Sequence, residues 1–287
     1  MPATETSGPR LSIVVPAAQE EDHILPCLQA ILDQAGLGHG DIEVIVAANG
    51  CTDETVIRSR SLGDAFAARG WRFVVLDIPE GGKTGALNRA DDQAHARARA
   101  YLDADVVIDA DLIAATLQAL ASDDPVYVTG RLRVAPARSW VSRRYGALWT
   151  RLPFMAPGTA PGAGFFAVNG AGRDRWTEFP QIISDDSYVR LLFAPQERIE
   201  VDAGYVWPLV EGFPALVRVR RRQDEGLAEL SQLYPDLQRN EGKQGISRGR
   251  HLSLLASRPV DYTVYVTVRM ATRVKGRRND RWARGRR

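Results

Sequence analysis

Residues 100–105 read Ala-Tyr-Leu-Asp-Ala-Asp. A strand beginning over Ala100–Asp103 runs straight into two acids, Asp103 and Asp105. On a strand, alternate residues share a side, so the two carboxylates would project together with Cα atoms about 6–7 Å apart. That arrangement suits one hard divalent cation shared with phosphate oxygens. Asp109 and Asp111 follow closely and precede the helical run Leu112–Leu120, which they are expected to cap. Surface loops also carry Asp-x-Asp, so spacing alone leaves metal binding and a solvated turn evenly matched.

Working outward, this stretch is the fourth strand of an alternating series. LSIVVP (11–16), IEVIVAA (42–48) and WRFVVL (71–76) are short apolar runs of strand type. Between them lie helical patterns: Ile24–Leu32, a segment capped by Thr52 and Asp53 through about Ala68, and Ala-rich Thr84–Arg99. Such alternation implies an α/β fold with a mostly parallel central sheet flanked by helices. Ligands of these sheets sit at the carboxyl ends of the strands. There the turn Gly81-Gly82-Lys83 enters a helix, where free N–H groups and a Lys could face phosphate. The Walker A spacing is absent, and a plain loop-to-helix junction explains the glycines about as well.

The pattern changes after Gly130. A helix is expected near Ser139–Arg151, a strand over Gly164–Val168, a helix or loop over Gly170–Trp176 and a strand over Arg198–Asp202. Helices are expected over Ser184–Phe193, Gly212–Leu233 and Ser253–Arg273. Ser184 is a good N-cap, and Asp185 and Asp186 suit the first turn of a helix. An Asp at a helix start that faces a cleft can equally serve as a general base. Residues 1–130 read as a nucleotide-binding half and 131–235 as an acceptor half of one domain. Residues 236–287 read as a helical C-terminal extension.

The composition is ordinary for a globular chain: 45% hydrophobic and 25% charged over 287 residues. Collagen-like, disordered and coiled-coil classes are excluded for the bulk of the chain. Two cysteines, Cys27 and Cys51, make neither a disulfide framework nor a Cys-rich zinc site, so a reducing compartment is expected. The first apolar run is too short for a signal peptide, and no stretch of 18 or more uncharged apolar residues exists to span a membrane. A cytoplasmic location is the expectation.

Charge is unevenly placed. Residues 273–287, RVKGRRNDRWARGRR, carry +7, which leaves −5 on residues 1–272 of a total of +2. That argues against nucleic acid across the whole surface. The tail follows an amphipathic segment, Val260–Val274, with Tyr262, Val264, Val266 and Met270 as its apolar side. Together they could rest on an anionic membrane surface. A helix packed on the domain with a solvated tail is an equal alternative.

Taken in order, these pieces resemble the inverting glycosyltransferases of family 2, which have the GT-A fold. Val14-Val15-Pro16-Ala17-Ala18-Gln19-Glu20-Glu21 is similar to the family's opening Val-Pro-x-x-Asn-Glu. Val46-Ala47-Ala48-Asn49-Gly50-Cys51-Thr52-Asp53 resembles Asp-Asp-Gly-Ser-Thr-Asp. Gly82-Lys83 through Ala86-Leu87-Asn88 resembles Gly-Lys-x-x-Ala-Leu-Asn. Asp103-Ala104-Asp105 sits at the metal motif. Gly162–Phe166 with Ala171-Gly172-Arg173 resembles the acceptor-side strand and helix. Asp185-Asp186 falls on the acidic catalytic motif. The likeness covers about residues 11–230.

The resemblance implies donor-binding roles for Pro16, Ala17, Glu20, Asn49, Lys83, Asp103 and Asp105. It implies a divalent cation, Mg2+ or Mn2+, on Asp103 and Asp105. Asp186 becomes the catalytic base, and Gly164, Asp185 and Arg222 become acceptor-binding. The partners implied are a nucleotide-sugar donor and a hydroxyl acceptor, lipid-linked, glycan or small molecule. Ala48 and Asn49 depart from the usual acidic pair, which loosens the base preference. Val219-Arg220-Arg221-Arg222-Gln223 departs from Gln-x-x-Arg-Trp, which argues against a processive synthase. Two other readings remain: a sugar nucleotidyltransferase, which normally has a Gly- and Arg-containing loop after strand one, and a non-catalytic nucleotide-sugar-binding module.

Overall fold

The structure is a computed structural model that describes residues 8–274 apart from 157, 243 and 244. The basic tail beyond Val274 lies outside the described residues. The chain runs β1 (Leu11–Ala17), α1 (Ile24–Leu32), β2 (Ile42–Asn49), α2 (Thr55–Arg60), α3 (Gly63–Ala68), β3 (Arg72–Ile78), α4 (Lys83–Asp91), β4 (Ala98–Leu102), β5 (Val107–Ile108) and α5 (Leu112–Ala119). It continues through β6 (Tyr127–Val134), α6 (Trp140–Trp149), β7 (Phe165–Val168), α7 (Gly170–Arg173), α8 (Asp185–Leu191), β8 (Arg198–Trp207), α9 (Phe213–Leu233), α10 (Arg248–Ser257) and α11 (Pro259–Arg273).

The strands form one sheet in the order β3-β2-β1-β4-β7-β6-β8-β5. β3, β2, β1 and β4 are parallel neighbours. β7 runs antiparallel to both β4 and β6, and β8 returns parallel to β6. The expected α/β architecture is therefore present. β1 and β2 are buried on both faces, which is why they read as unbroken apolar runs rather than alternating ones. Ile13 and Val15 join one core cluster, and Val14 joins the other on the opposite side of the sheet.

A third cluster holds the C-terminal helices in place. Tyr145, Leu148 and Trp149 of α6 meet Leu216 of α9, Leu254 of α10 and Val268 of α11. Tyr262 and Val264, read as an apolar face for a membrane, are packed on this cluster instead. Met270 stays exposed.

Three expected elements differ. The helix over 84–99 stops at Asp91 because the backbone beyond it is captured elsewhere. The fully buried Glu43 carboxylate accepts the N–H groups of His95 and Ala96, and Ala98–Tyr101 pairs with β1. The helix over 253–273 is two helices, broken where Pro259 forces Arg258 out of helical geometry (φ −144°, ψ 60°). The helix after Asp53 is likewise two short pieces, α2 and α3.

The cap of α5 also differs. Asp111 occupies the cap position without a side-chain bond. Gln34 does the work instead: its Oε1 accepts from Ile113 N at 2.9 Å, and its Nε2 donates to the Asp109 and Ala30 carbonyls. The Asp109 carboxylate is spent on the Gly204 N–H and Arg133.

Candidate active site

The carboxyl ends of β1, β2 and β4 open into one cleft of about 1070 Å³. Pro16, Glu20, Asn49, Lys83, Asp103, Asp105, Gly164, Asp185, Asp186 and Arg222 all line it. Of the residues singled out from sequence, Ala17 is the exception. It is buried beneath the cleft, where its carbonyl accepts from Asn49 Nδ2 at 2.9 Å.

Lys83 is the hinge of the arrangement. Its Nζ lies 2.9 Å from Asp103 Oδ1 and 3.0 Å from Asp185 Oδ2. Burial alone would lower the ammonium's pKa, but the carboxylates of Asp103, Asp185 and Asp186 overcome it and hold Lys83 protonated well above its ordinary range. The position follows from local sequence. Gly82 sits at φ 150° just before α4, with its N–H held by Asn49 Oδ1 at 3.0 Å. Gly50, at φ +57°, lets the Gly81 backbone approach to 3.0 Å from where a Cβ would lie. Lys83 therefore opens the helix pointing at carboxylates.

Asp103 and Asp105 lie in a turn after β4, not on a strand. Asp103 N–H donates to the Gly164 carbonyl, and the Asp103 carbonyl accepts from Val106 N at 3.0 Å, closing the turn. Strand alternation is thus not what brings the two acids together, although both reach the cleft. The Cys27 thiol lies underneath. Burial pushes it up first, followed by the negative field of Asp105, Asp103 and Glu20.

The loops after β1 and β2 are tied together. Gln19 adopts the left-handed region at φ 55°, rare outside glycine. From there its amide bonds Thr52 from both ends, with Nε2 on the hydroxyl and Oε1 on the N–H, each at 2.9 Å. Asn49 is buried and its amide is fully committed, to Ala17 and Ala47 on one side and Gly82 on the other. It shapes the cleft floor, with both amide protons spent on backbone carbonyls.

Gly164, beside Asp103, takes φ +82° with Trp207 and Val106 each 2.9 Å from the position of a missing Cβ. Any side chain would be strained and would push on Trp207 and Val106. Asp185 and Asp186 open α8. Ser184 precedes them without a side-chain cap bond, and Asp186 Oδ1 accepts from Ser187 N at 2.6 Å instead. Asp185 is buried. That raises its carboxyl pKa, opposed by Lys83 and reinforced by Asp186 and Asp103.

Residues 12–165 match the family model described as Glycosyl transferase family 2, more than half of the chain. The chain belongs to that family. It is a glycosyltransferase with a GT-A-type fold. Solved structures of similar shape agree. The mannosyltransferase PcManGT from Pyrobaculum calidifontis, in complex with GDP-Man and Mn2+, has 19% identity and a TM-score of 0.61, covering 94% of this chain and 77% of its own. S. aureus TarS 1–349 in complex with UDP-GlcNAc has 13% identity and a TM-score of 0.55, covering 92% and 81%. Glucosyl-3-phosphoglycerate synthase from Mycobacterium tuberculosis, in complex with Mn2+, UDP and glucosyl-3-phosphoglycerate, has 20% identity and a TM-score of 0.51, covering 78% and 80%. At these identities the likeness is one of fold. A comparison with curated proteins gives no significant match.

In this family-2 glycosyltransferase, the segment Ala86-Leu87-Asn88 acts through packing. Ala86 and Leu87 are buried. Asn88 exchanges two bonds with the Phe179 backbone, at 2.7 and 3.0 Å, fixing the segment that leads to Asp185. Sequence reasoning missed the other wall of the glycosyltransferase cleft: Tyr145, Trp149, Trp207, and Arg218 of α9. Tyr145 and Trp149 fall in the Arg- and Trp-rich stretch Arg131–Arg151, whose composition suits an acceptor pocket, but nothing in the sequence singles out Trp207 or Arg218.

The donor set fits a hard divalent cation. Asp103 and Asp105 bring two carboxylates to the cleft, and Asp103 already has a cation, Lys83, against it. Among the described residues no group of three or more His, Cys, Asp or Glu side chains is disposed to enclose a metal. An ion here would draw its remaining ligands from phosphate and water, the usual habit of Mg2+.

Proposed function

We propose that this enzyme is an inverting, non-processive glycosyltransferase. It uses Mg2+ or Mn2+ and moves a sugar from a nucleoside-diphosphate sugar to a hydroxyl acceptor. The observation that carries the reading is the Lys83 bridge, which joins the Asp103–Asp105 turn to the Asp185–Asp186 helix start across one cleft. A donor-binding group and a proton-accepting group would then meet at one reaction centre.

Asp103 and Asp105 would hold the divalent cation, which when bound neutralises charge growing on the departing diphosphate. Lys83 adds a fixed positive charge beside it. Asp186 accepts the proton of the acceptor hydroxyl. A carboxylate is a weak base towards a free alcohol, but the hydroxyl becomes acidic as the oxocarbenium-like carbon captures it. Attack on the face opposite the leaving group gives inversion in one displacement. Asp185, buried and ion-paired, fixes Lys83 and the start of α8. The mannosyltransferase and synthase structures contain Mn2+ with GDP-Man or UDP, which supports both cation and donor class.

The enzyme would act at the inner face of a membrane. No helix among the described residues is long and apolar enough to cross one. Leu252, Leu255, Val260, Met270 and Val274 are exposed on the last two helices and at their end, and the basic stretch 273–287 follows in the sequence. That pairing supports contact with an anionic lipid surface.

A thermal-shift screen of UDP-, GDP- and dTDP-sugars, with and without Mn2+, tests the reading. A true donor at 100 times its Kd adds about 2.7 kcal/mol of stability. Failure of every nucleotide sugar to stabilise the protein would contradict it. Pyrophosphate exchange would point to nucleotidyl transfer instead.

A further inference from the structure

Helix α9 carries Arg218, Arg220, Arg221 and Arg222 within five residues, and these cations have different fates. Arg221 turns away from the cleft and donates to the Ala271, Thr272 and Val274 carbonyls of the C-terminal helix. Arg220 spends its terminal nitrogens on Gln223 and Asp224. Its Nε is buried with no hydrogen-bond partner among the described residues. Arg218 and Arg222 are exposed and line the cleft. Neither side chain makes an ion pair or hydrogen bond among the described residues. Standing four apart, they share one face of the helix.

An acidic cleft ordinarily finds partners for its arginines. Here Asp103 and Asp185 are engaged with Lys83, and Asp224 of α9 goes to Arg220 and Arg269 rather than to these two. Two guanidiniums in a cleft call for an oxyanion, which they bind by forked, charge-assisted bonds. A carboxylate would neutralise one of them, whereas a phosphate dianion matches both. The same cleft is lined by the apolar side chains of Trp207, Leu209 and Leu216.

We infer that the acceptor carries a phosphate group, that Arg218 and Arg222 hold it, and that its hydroxyl thereby reaches Asp186. The inference rests on the transferase reading and specifies its acceptor class. The phosphate belongs either to a soluble phosphorylated alcohol or to a lipid headgroup.

Equilibrium binding by calorimetry distinguishes these. The probes are glycerol 3-phosphate, a short-chain alkyl phosphate below its micelle concentration, and the uncharged alkyl glucoside of equal chain length. The proteins are the full chain, Arg218→Gln, Arg222→Gln and the double variant, with GDP or UDP plus Mn2+ as a parallel titration. At least one phosphate ester should bind the wild type, and each substitution should weaken it by about tenfold or more. Nucleotide affinity should stay within about twofold. Glycerol 3-phosphate binding as tightly as the alkyl phosphate supports the soluble source. A marked preference for the alkyl phosphate over both other probes supports the lipid source. Phosphate esters that ignore the wild type, or bind the double variant equally, overturn the inference. An equal loss of nucleotide affinity would assign the arginines to the donor diphosphate and overturn it too. The transferase reading fails separately, through absence of any nucleotide binding to the wild type.

Discussion

Lys83 Nζ stands 3.0 Å from Asp185 Oδ2, so the helix that starts with Lys83 and the helix that starts with Asp185 are locked end to end. The same nitrogen reaches Asp103 at 2.9 Å. One ammonium therefore sets the distance between the turn that would hold the donor's cation and the helix that would hold the base. Removing it leaves like charges facing each other.

Lys83→Gln should move the acid limb of the pH–activity profile to higher pH. Without the cation, Asp185 loses the charge that opposes the raising of its carboxyl and holds its proton more tightly. Turnover at neutral pH should fall by about tenfold or more, and the loss should shrink as pH rises. An acid limb unchanged from wild type would show that Lys83 does not control these carboxylates.

Asp105→Ala and Asp109→Ala separate two neighbouring acids by role. The first should remove Mn2+-dependent nucleotide binding while leaving the fold intact. The second should leave nucleotide binding in place and cost about 1 kcal/mol of stability, by freeing the Gly204 N–H and Arg133. Calorimetric titration with urea unfolding reads both. Equal effects on nucleotide affinity would contradict the division.

Glu43 makes a pH-dependent contribution to stability. Burial alone would raise its carboxyl, but donors from Ser12, His95, Ala96 and Arg72 hold it below its ordinary 4.5. A depressed native pKa means the contribution is whole above that ordinary value and is lost as pH falls through the native one. Glu43→Ala should cost about 3 kcal/mol at neutral pH, the scale of breaking a buried pair. The difference from wild type should narrow as the solution is acidified below 4.5. A difference that stays constant through this range would show that the carboxylate's charge is not what matters.

Vesicle co-sedimentation tests the membrane proposal. Full-length protein should pellet with anionic vesicles at low salt and be released by added salt. Deleting residues 273–287 should abolish binding. Absence of binding by the full chain, or its persistence after the deletion, removes the membrane from the account without touching the cleft.

The strands were legible because β1 and β2 are apolar on both faces, a pattern that short range alone produces. The acids of the cleft were legible by type and order. Their arrangement was not. Asp103 and Asp105 converge through a turn closed by Gly164, a partner some sixty residues distant. Asn49 looked like a ligand contact because the groups that consume its amide, Ala17 and Gly82, are each more than thirty residues away. Gln34 caps α5 from the loop after α1, 79 residues away in sequence from the Ile113 N–H it accepts. The arginines of α9 were visible as a charge run. Which of them face the cleft depends on α11 taking Arg221 away.

The most direct test of the central claim is single-turnover transfer by Asp186→Asn, measured beside its affinity for the nucleotide sugar. The amide can still accept the Ser187 N–H that orients the side chain, so the helix start should stand and donor affinity should match wild type. Loss of the proton acceptor should slow transfer by about 10²–10⁴-fold. An Asn variant that transfers at the wild-type rate would contradict the assignment of Asp186 as the base and leave it a helix-start residue.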